Sequence, residues 1–155
     1  MNKTTLIGRL LLGALYTSIA VAIIGTAMLA VRKESRSASK VVIGGEEIKV
    51  TLADTPSLQS KGLSGSKELK PNEGMLFIFQ KSGLYGFWMK DMLFPIDIIW
   101  FDVNRHIVDV WENAAPDSYP KIFTPHAPAQ FVLEVDAGFF AEHHLRVGNM
   151  FELLR

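Results

Sequence analysis

The stretch from Gly83 to Asp102, GLYGFWMKDMLFPIDIIWFD, places charged residues among side chains that are typical of a hydrophobic core. It contains two Trp, three Phe, two Met and one Pro. Short runs rich in aromatic and β-branched residues, separated by Gly, Pro and Asp, favour β-strands. The stretch therefore predicts a β-rich domain, and the charges within it are the first candidates for a functional site.

The segment Ile96–Val103 separates into two faces if it forms a strand, because successive side chains of a strand point to opposite sides. Asp97 then shares its face with three large apolar residues, Ile99, Phe101 and Val103. A bare carboxylate in such surroundings costs several kcal/mol, so Asp97 needs a partner or a proton. If a strand at Tyr85–Met89 pairs with this one, Lys90 comes within reach of Asp97.

Two interpretations of these charges are open. In the functional one, Lys90, Asp97 and Glu134 form a polar cluster. In this interpretation the cluster lies at the mouth of a pocket that Trp88 and Met89 would line. Such a site could perform acid–base chemistry or bind a polar ligand. In the structural interpretation, Asp97 accepts hydrogen bonds from backbone amides at a turn, and Lys90 extends to water.

The composition excludes several classes of function. Lys plus Arg number 16 and Asp plus Glu also number 16, so no basic field attracts nucleic acid, and no nucleic-acid partner is expected. Cysteine is absent, which excludes disulfides, thiolate metal sites and a Cys nucleophile. The Met and His residues show no ligand spacing, and no GxSxG, HExxH or Gly-rich phosphate loop occurs. No metal or cofactor is therefore expected.

An uncharged run of 22 residues, Leu10–Val31, predicts a transmembrane helix. At 1.5 Å per residue it reaches about 33 Å, enough to cross a hydrocarbon core of about 30 Å. A cleaved signal peptide is the alternative, because an A-x-A pattern occurs at Ala20–Ala22, although nine more uncharged residues follow it. The predicted organisation is a basic tail at residues 1–9, a signal anchor at 10–31, a polar linker at 32–40 and a β-rich domain at 41–155.

The basic residues on either side of this run give conflicting indications of orientation. Two precede it and four follow it, namely Lys3, Arg9, Arg32, Lys33, Arg36 and Lys40. Positive charges alone would place the domain in the cytoplasm. A short basic N-terminal tail is, however, the usual start of an export signal. We expect the domain on the outer side of the cytoplasmic membrane, periplasmic or extracellular, with secretion after cleavage as the alternative.

Local turn and capping residues mark the smaller elements of the domain. Gly44-Gly45 lies between two strand-like runs and predicts a β-hairpin. Asp54-Thr55-Pro56 predicts the start of a short helix, since it offers a capping side chain and then Pro at an early helical position. A second short helix is predicted at Phe139–Leu145. Four prolines between Ala114 and Ala129 predict a long extended surface loop.

The remaining elements are predicted strands. They are expected at Val41–Ile43, Glu47–Leu52, Met75–Phe79, Tyr85–Met89, Ile96–Val103, Ile107–Trp111, Phe131–Val135 and Met150–Leu154. No long alternation of strands and helices occurs. The pattern predicts an α+β fold dominated by β structure, with a compact antiparallel, barrel-like sheet and two short helices.

Six short motifs follow one another through the domain. They are Gly62-Leu63, Asn72–Phe77, Phe87–Lys90, Pro95–Asp97, Phe131–Glu134 with Gly138, and Arg146–Gly148. In this order they resemble the domain of unknown function 192, also called uncharacterised protein family 0127, over roughly Val41–Leu154. The resemblance implies a compact, barrel-like β-rich domain with short helices. It also implies relatives that are often exported or membrane-anchored, and it implies no established activity.

Two motifs depart from the pattern of the family that the chain resembles. The family commonly has Asn-Thr after Trp-Met-Lys, where this chain has Asp91-Met92. It commonly has Gly-Leu-Met-Gly-Arg earlier, where residues 62–66 read GLSGS. A hydroxyl and a guanidinium that a family site could use are therefore missing here.

The sequence favours a membrane-anchored, non-enzymatic module that binds an unidentified small molecule or an envelope protein. The predicted anchor, the polar linker and the aromatic surface around Trp88 support membrane anchoring and binding. The sequence contains no recognisable catalytic set, which favours a non-enzymatic role. The alternative is a hydrolase-like enzyme that uses Asp97 and Glu134 with Lys90, which would require the two carboxyls to converge on an open cleft.

Overall fold

The computed structural model describes residues 39–154. The predicted basic tail, the predicted signal anchor, most of the predicted linker and Arg155 lie outside the described residues. Within residues 39–154, no helix is long and apolar enough to cross a membrane. The first strand begins at Ser39, slightly earlier than the sequence pattern predicts.

The described residues form nine strands, two α-helices and one 3-10 turn. In chain order they are β1 Ser39–Ile43, β2 Glu46–Ala53, α1 Pro56–Lys61, β3 Glu73–Gly83, β4 Phe87–Trp88, β5 Ile96–Phe101, β6 Ile107–Ala114, the 3-10 turn Pro116–Ser118, β7 Ile122–Phe123, β8 Ala129–Asp136, α2 Phe139–Glu142 and β9 Glu152–Leu154. The α+β class, dominated by β structure and with two short α-helices, is confirmed.

Seven strands form one sheet in the order β6-β5-β8-β3-β2-β1-β9. Neighbours in this sheet are antiparallel except β2 and β3, which are parallel. A parallel pair needs a crossover, because the chain must return to the end of the sheet from which β2 started. The crossover carries α1 and the loop that follows it, which brings both next to the sheet.

Two local predictions are confirmed. Gly44 and Gly45 connect β1 and β2 with φ values of 60° and 88°, the left-handed values that such tight turns require. α1 begins after Thr55, whose side-chain oxygen accepts a hydrogen bond from the Leu58 amide at 3.4 Å. Pro56 occupies the first turn, where its missing N–H costs nothing.

The barrel-like closure that the sequence predicts is not observed. β6 and β9 are the edges of the sheet. Residues next to these two edge strands are joined by an isolated β-bridge between His106 and Met150. The Ile107 amide also donates a hydrogen bond to the Asn149 carbonyl at 2.8 Å. Closure would require a continuous ladder between β6 and β9, and a single isolated bridge does not provide one.

The predicted strand at Tyr85–Met89 is reduced to the two residues of β4, and it does not pair with β5. Its partner is β7, where Phe87 lies opposite Phe123. β7 belongs to the proline-containing segment that the sequence predicts to be an extended loop. Both edges of β5 are already occupied by the longer strands β6 and β8, so β4 has no free edge to join.

Each face of the large sheet is covered by its own hydrophobic core. The first core includes Leu76, Ile99 and Leu133. The second core includes the residues that alternate with them on the same strands, Phe77, Ile98 and Val132. Loop side chains add to the second core, among them Leu63, Met89 and Met92. The candidate functional site lies on the side of the second core.

Candidate functional site

Glu134 is a carboxyl-bearing residue on the second-core face of a central strand. It lies in β8, opposite Met75 of β3 and opposite Ile98 of β5. Only 5% of its surface is exposed. Its Oε2 atom is buried and has no hydrogen-bond partner. A buried carboxyl oxygen without a partner is rare, because it loses its contacts with water and gains nothing in return.

Burial also changes the proton affinity of this group. Loss of solvation disfavours the charged form and raises the pKa of Glu134 from its ordinary 4.5 to about 8. The side chain is therefore mostly protonated at neutral pH when the cavity beside it holds no counter-charge.

A cavity of about 140 Å³ opens beside the Glu134 carboxyl. We call it the aromatic cavity, because five rings line it together with Glu134: Phe77, Phe79, Tyr85, Phe87 and Trp88. The end of α1, the loop after it and Met92 complete the wall. Trp88 is 47% exposed, which leaves its ring accessible from solvent.

The rings hold one another in place through direct packing. Phe77 meets Phe87 edge to face with their centroids 4.8 Å apart, and Phe79 stacks on Tyr85 at 3.6 Å. The Tyr85 carbonyl accepts a hydrogen bond from the Trp100 indole N–H at 3.0 Å. The segment before β4 is thereby attached to β5, although the two are not strand partners.

Gly62 ends α1 and lies against the carboxyl of Glu134. A Cβ added to Gly62 would lie 3.4 Å from Phe77 Cζ and 3.7 Å from Glu134 Oε2, and its φ of 52° favours glycine. The loop after Gly62 is joined to the segment that follows β4. Ser64 Oγ donates to the Lys90 carbonyl, and the Gly65 amide donates to the Asp91 carbonyl, each at 2.8 Å. These bonds fix one wall of the aromatic cavity.

The predicted cluster of Lys90, Asp97 and Glu134 does not form. Asp97 lies opposite Val135, one position along β8 from Glu134, so the two carboxyls point to opposite faces of the sheet. Lys90 is exposed, and its Nζ lies 6.0 Å from the Trp88 ring centroid.

Asp97 is completely buried and uses its carboxylate within the fold. Its Oδ1 accepts from the amides of Asn113 at 2.8 Å and Gly138 at 3.2 Å, and its Oδ2 accepts from Phe140 at 2.9 Å. This arrangement is the one that the structural interpretation of Asp97 predicts. It leaves the hydrolase-like alternative without two of the three side chains on which it depends.

Of the other predicted residues, Trp88 lines the aromatic cavity and Met89 does not. Met89 is 1% exposed and belongs to the second core. Sequence reasoning missed Gly62, Phe77 and Phe87. Alternation along β3 puts Phe77 on the same face as Met75, and the register between β3 and β8 shows that Glu134 shares that face.

No set of three or more His, Asp or Glu side chains in the described part of the chain is placed to hold a metal ion. Glu134 contributes the one carboxyl of the aromatic cavity, and the exposed Lys61 lies at its edge. The other walls are aromatic rings, apolar groups and hydroxyl or amide side chains. The site therefore has the composition of a small-molecule pocket, with one buried carboxyl group in a largely aromatic surround.

The fold and the site together define a β-dominated domain with a buried carboxyl group beside an aromatic cavity. The chain belongs to the domain of unknown function 192 family (DUF192; Uncharacterized ACR, COG1430), whose model matches residues 39–153. The resemblance seen in the six sequence motifs is thereby confirmed.

Two solved structures are similar to this chain. One is a protein from Sinorhizobium meliloti 1021 described as a candidate transcription regulator. It is 27% identical, with a TM-score of 0.68, and the match covers 74% of this chain and 90% of that one. The other is a protein of unknown function from Novosphingobium aromaticivorans DSM 12444. It is 29% identical, with a TM-score of 0.68 and coverage of 74% and 82%. No curated protein is a significant match.

Proposed function

We propose that the domain is a binding module that holds a small ligand in the aromatic cavity. The observation that carries this proposal is the buried Glu134 carboxyl, whose Oε2 has no partner although it lines an accessible cavity. A hydrogen bond or charge supplied by a ligand would offset the cost of burying this group. A methionine or leucine would fill the same place without that cost.

We also propose that residues 10–31 anchor this module in the cytoplasmic membrane, with the domain on its outer side. The support is the length of the uncharged run and the short basic tail before it. Cleavage of the run and release of the domain is the alternative.

Transcriptional regulation, suggested by the description of one similar structure, is not favoured by the charge of the domain. Residues 39–154 carry 10 Lys or Arg and 15 Asp or Glu, a net charge of −5. A DNA-binding surface depends on clustered positive charge that neutralises phosphates. The excess of acidic residues opposes such an interaction.

Ligand screening by thermal shift, using the full chain in a nonionic detergent, tests the binding function. At least one small molecule is expected to raise the melting temperature, and Trp88→Ala is expected to abolish that rise. Trp111→Ala is the matched control, because Trp111 on β6 is 39% exposed and does not line the aromatic cavity. Stabilising ligands whose effect survives Trp88→Ala would remove the aromatic cavity from the function.

A further inference from the structure

We propose that the aromatic cavity selects a small organic cation, a primary or quaternary ammonium group carrying a few carbon atoms. This inference rests on the proposed function and names the chemical class of its ligand. It follows from three features of the cavity: which polar groups remain free, what surrounds them, and how much space they leave.

The polar side chains around the aromatic cavity are mostly committed to the protein backbone. Gln59 Nε2 donates to the carbonyls of Ala53 and Ile78, at 3.2 and 2.9 Å. Ser64 Oγ donates to a backbone carbonyl, as described above. The Glu134 carboxyl is thus left without a donor from these neighbours, and a ligand must bring the donor or the positive charge.

Three titratable groups line the aromatic cavity: Glu134, Tyr85 and Lys61. Tyr85 Oη donates to the Lys81 carbonyl at 2.7 Å, so its hydroxyl is engaged. Lys61 lies in the last turn of α1 and is exposed, where its ammonium group is solvated. Glu134 is therefore the one buried group in this cavity that can carry a charge, and that charge is negative.

The surrounding rings favour a positive charge as well. The face of an aromatic ring is electronegative and attracts ammonium groups within about 6 Å of its centroid. Five rings line this cavity, and one of them, Trp88, already has the Lys90 ammonium 6.0 Å from its centroid. A carboxyl and several rings around one space suit a cation better than an anion or a neutral hydrocarbon.

The volume limits the size of the bound group. A dry cavity of about 150 Å³ in another protein accommodates benzene, which has about six heavy atoms. At about 140 Å³, the aromatic cavity has room for a group of the same size. Choline and butylammonium differ from benzene in size by about one heavy atom each, so either would fit. A larger ligand would extend past Trp88 into solvent.

Binding of a cation should release a proton, because the ligand favours the ionised form of Glu134. With a pKa of about 8 in the free protein, the affinity for a cation should rise about tenfold per pH unit below pH 8 and level off above it. A neutral ligand that accepts a hydrogen bond from the protonated carboxyl would show the opposite trend.

Choline and its uncharged isostere 3,3-dimethyl-1-butanol provide the test. Binding of each to the full chain in dodecyl maltoside would be measured by titration calorimetry at pH 6, 7, 8 and 9. Choline is expected to bind at least about tenfold more tightly than the alcohol at pH 8, with affinity that increases from pH 6 to 8.

Glu134→Gln keeps the shape of the side chain and removes its charge. It is expected to weaken choline binding at least about tenfold and to abolish the pH dependence, whereas Glu68→Gln, at an exposed position outside the cavity, should change neither. Trp88→Leu is a second variant that leaves Glu134 intact and should weaken choline more than the alcohol.

Equal affinity for the two probes, unaffected by Glu134→Gln, would overturn the cation assignment while leaving the cavity as a ligand site. The absence of choline binding up to about 100 mM would overturn it too. Failure of the broader binding function would appear differently, as a ligand screen in which no stabilisation depends on Trp88.

Discussion

Glu134 occupies a position where an apolar side chain of similar volume would cost the fold less. Its neighbours across the sheet, Met75 and Ile98, are buried members of the second core. Because solvation is lost there, the folded protein holds the proton of this carboxyl more tightly than the unfolded chain does. Stability and pH are therefore linked through a single side chain.

The linkage predicts a loss of stability as pH rises from about 5 to 8. The folded-state pKa of Glu134, about 8, lies above the ordinary 4.5. As the pH rises, the unfolded chain therefore releases this proton before the folded protein does. The free energy of unfolding should fall by up to about 1.4 kcal/mol per pH unit in this window. Urea denaturation of the wild type and Glu134→Gln at several pH values measures the difference. The variant should gain stability relative to the wild type as pH rises, and parallel curves would contradict the raised pKa.

The residue scale also shows how far sequence reasoning reaches. Trp88 and Glu134 are candidates from sequence, and both line the aromatic cavity. Alternation along β5 correctly places Asp97 with Ile99 and Phe101, whose side chains belong to the first core. Alternation within one strand does not predict the register of its neighbour in the sheet. Here a shift of one position sends the two carboxyls to opposite faces.

Elements with local causes are predictable, and elements that depend on distant partners are not. The β1–β2 hairpin follows from Gly44 and Gly45, and the start of α1 follows from Thr55 and Pro56. The pairing of β4 with β7 joins segments more than thirty residues apart, and no local pattern encodes it. The aromatic cavity depends on such distant pairings, which is why its outline is absent from the sequence.

The Asp97 carboxylate connects β5 to β6 and to the start of α2, so its removal should destabilise all three elements. Asp97→Ala leaves the amides of Asn113, Gly138 and Phe140 without their acceptor, so we expect a loss of about 3 kcal/mol or more in the free energy of unfolding. Urea denaturation measures this loss.

Asp136→Ala provides the matched control for Asp97→Ala. Asp136 is exposed at the end of β8, beside Ile96 of β5, and should change the stability by less than about 0.5 kcal/mol. A small effect of Asp97→Ala, or a direct effect on ligand binding in a fully folded variant, would contradict its structural role.

At the scale of the whole molecule, the proposed anchor has a consequence that fractionation can check. The full chain is expected in the membrane fraction and should resist extraction by carbonate, because a run of 22 uncharged residues is long enough to span a bilayer. A chain lacking residues 2–38 should be found in the soluble fraction. A reporter fused after Arg155 that is active only outside the cytoplasm would support the proposed orientation, and activity inside would reverse it.

The pairing of β1 with β9 bears on when the domain can fold during synthesis. β1 contains the first described residues and β9 the last, yet they are neighbours in the sheet. Phe151, just before β9, is 1% exposed and packs on Phe101 and Phe131 of the first core. At about 5–20 residues per second, a ribosome needs about 6–23 s to make this region. Throughout that time β1 lacks its partner β9, so the edge of the sheet and the packing of Phe151 on the first core can be completed only after the last described residues have been made.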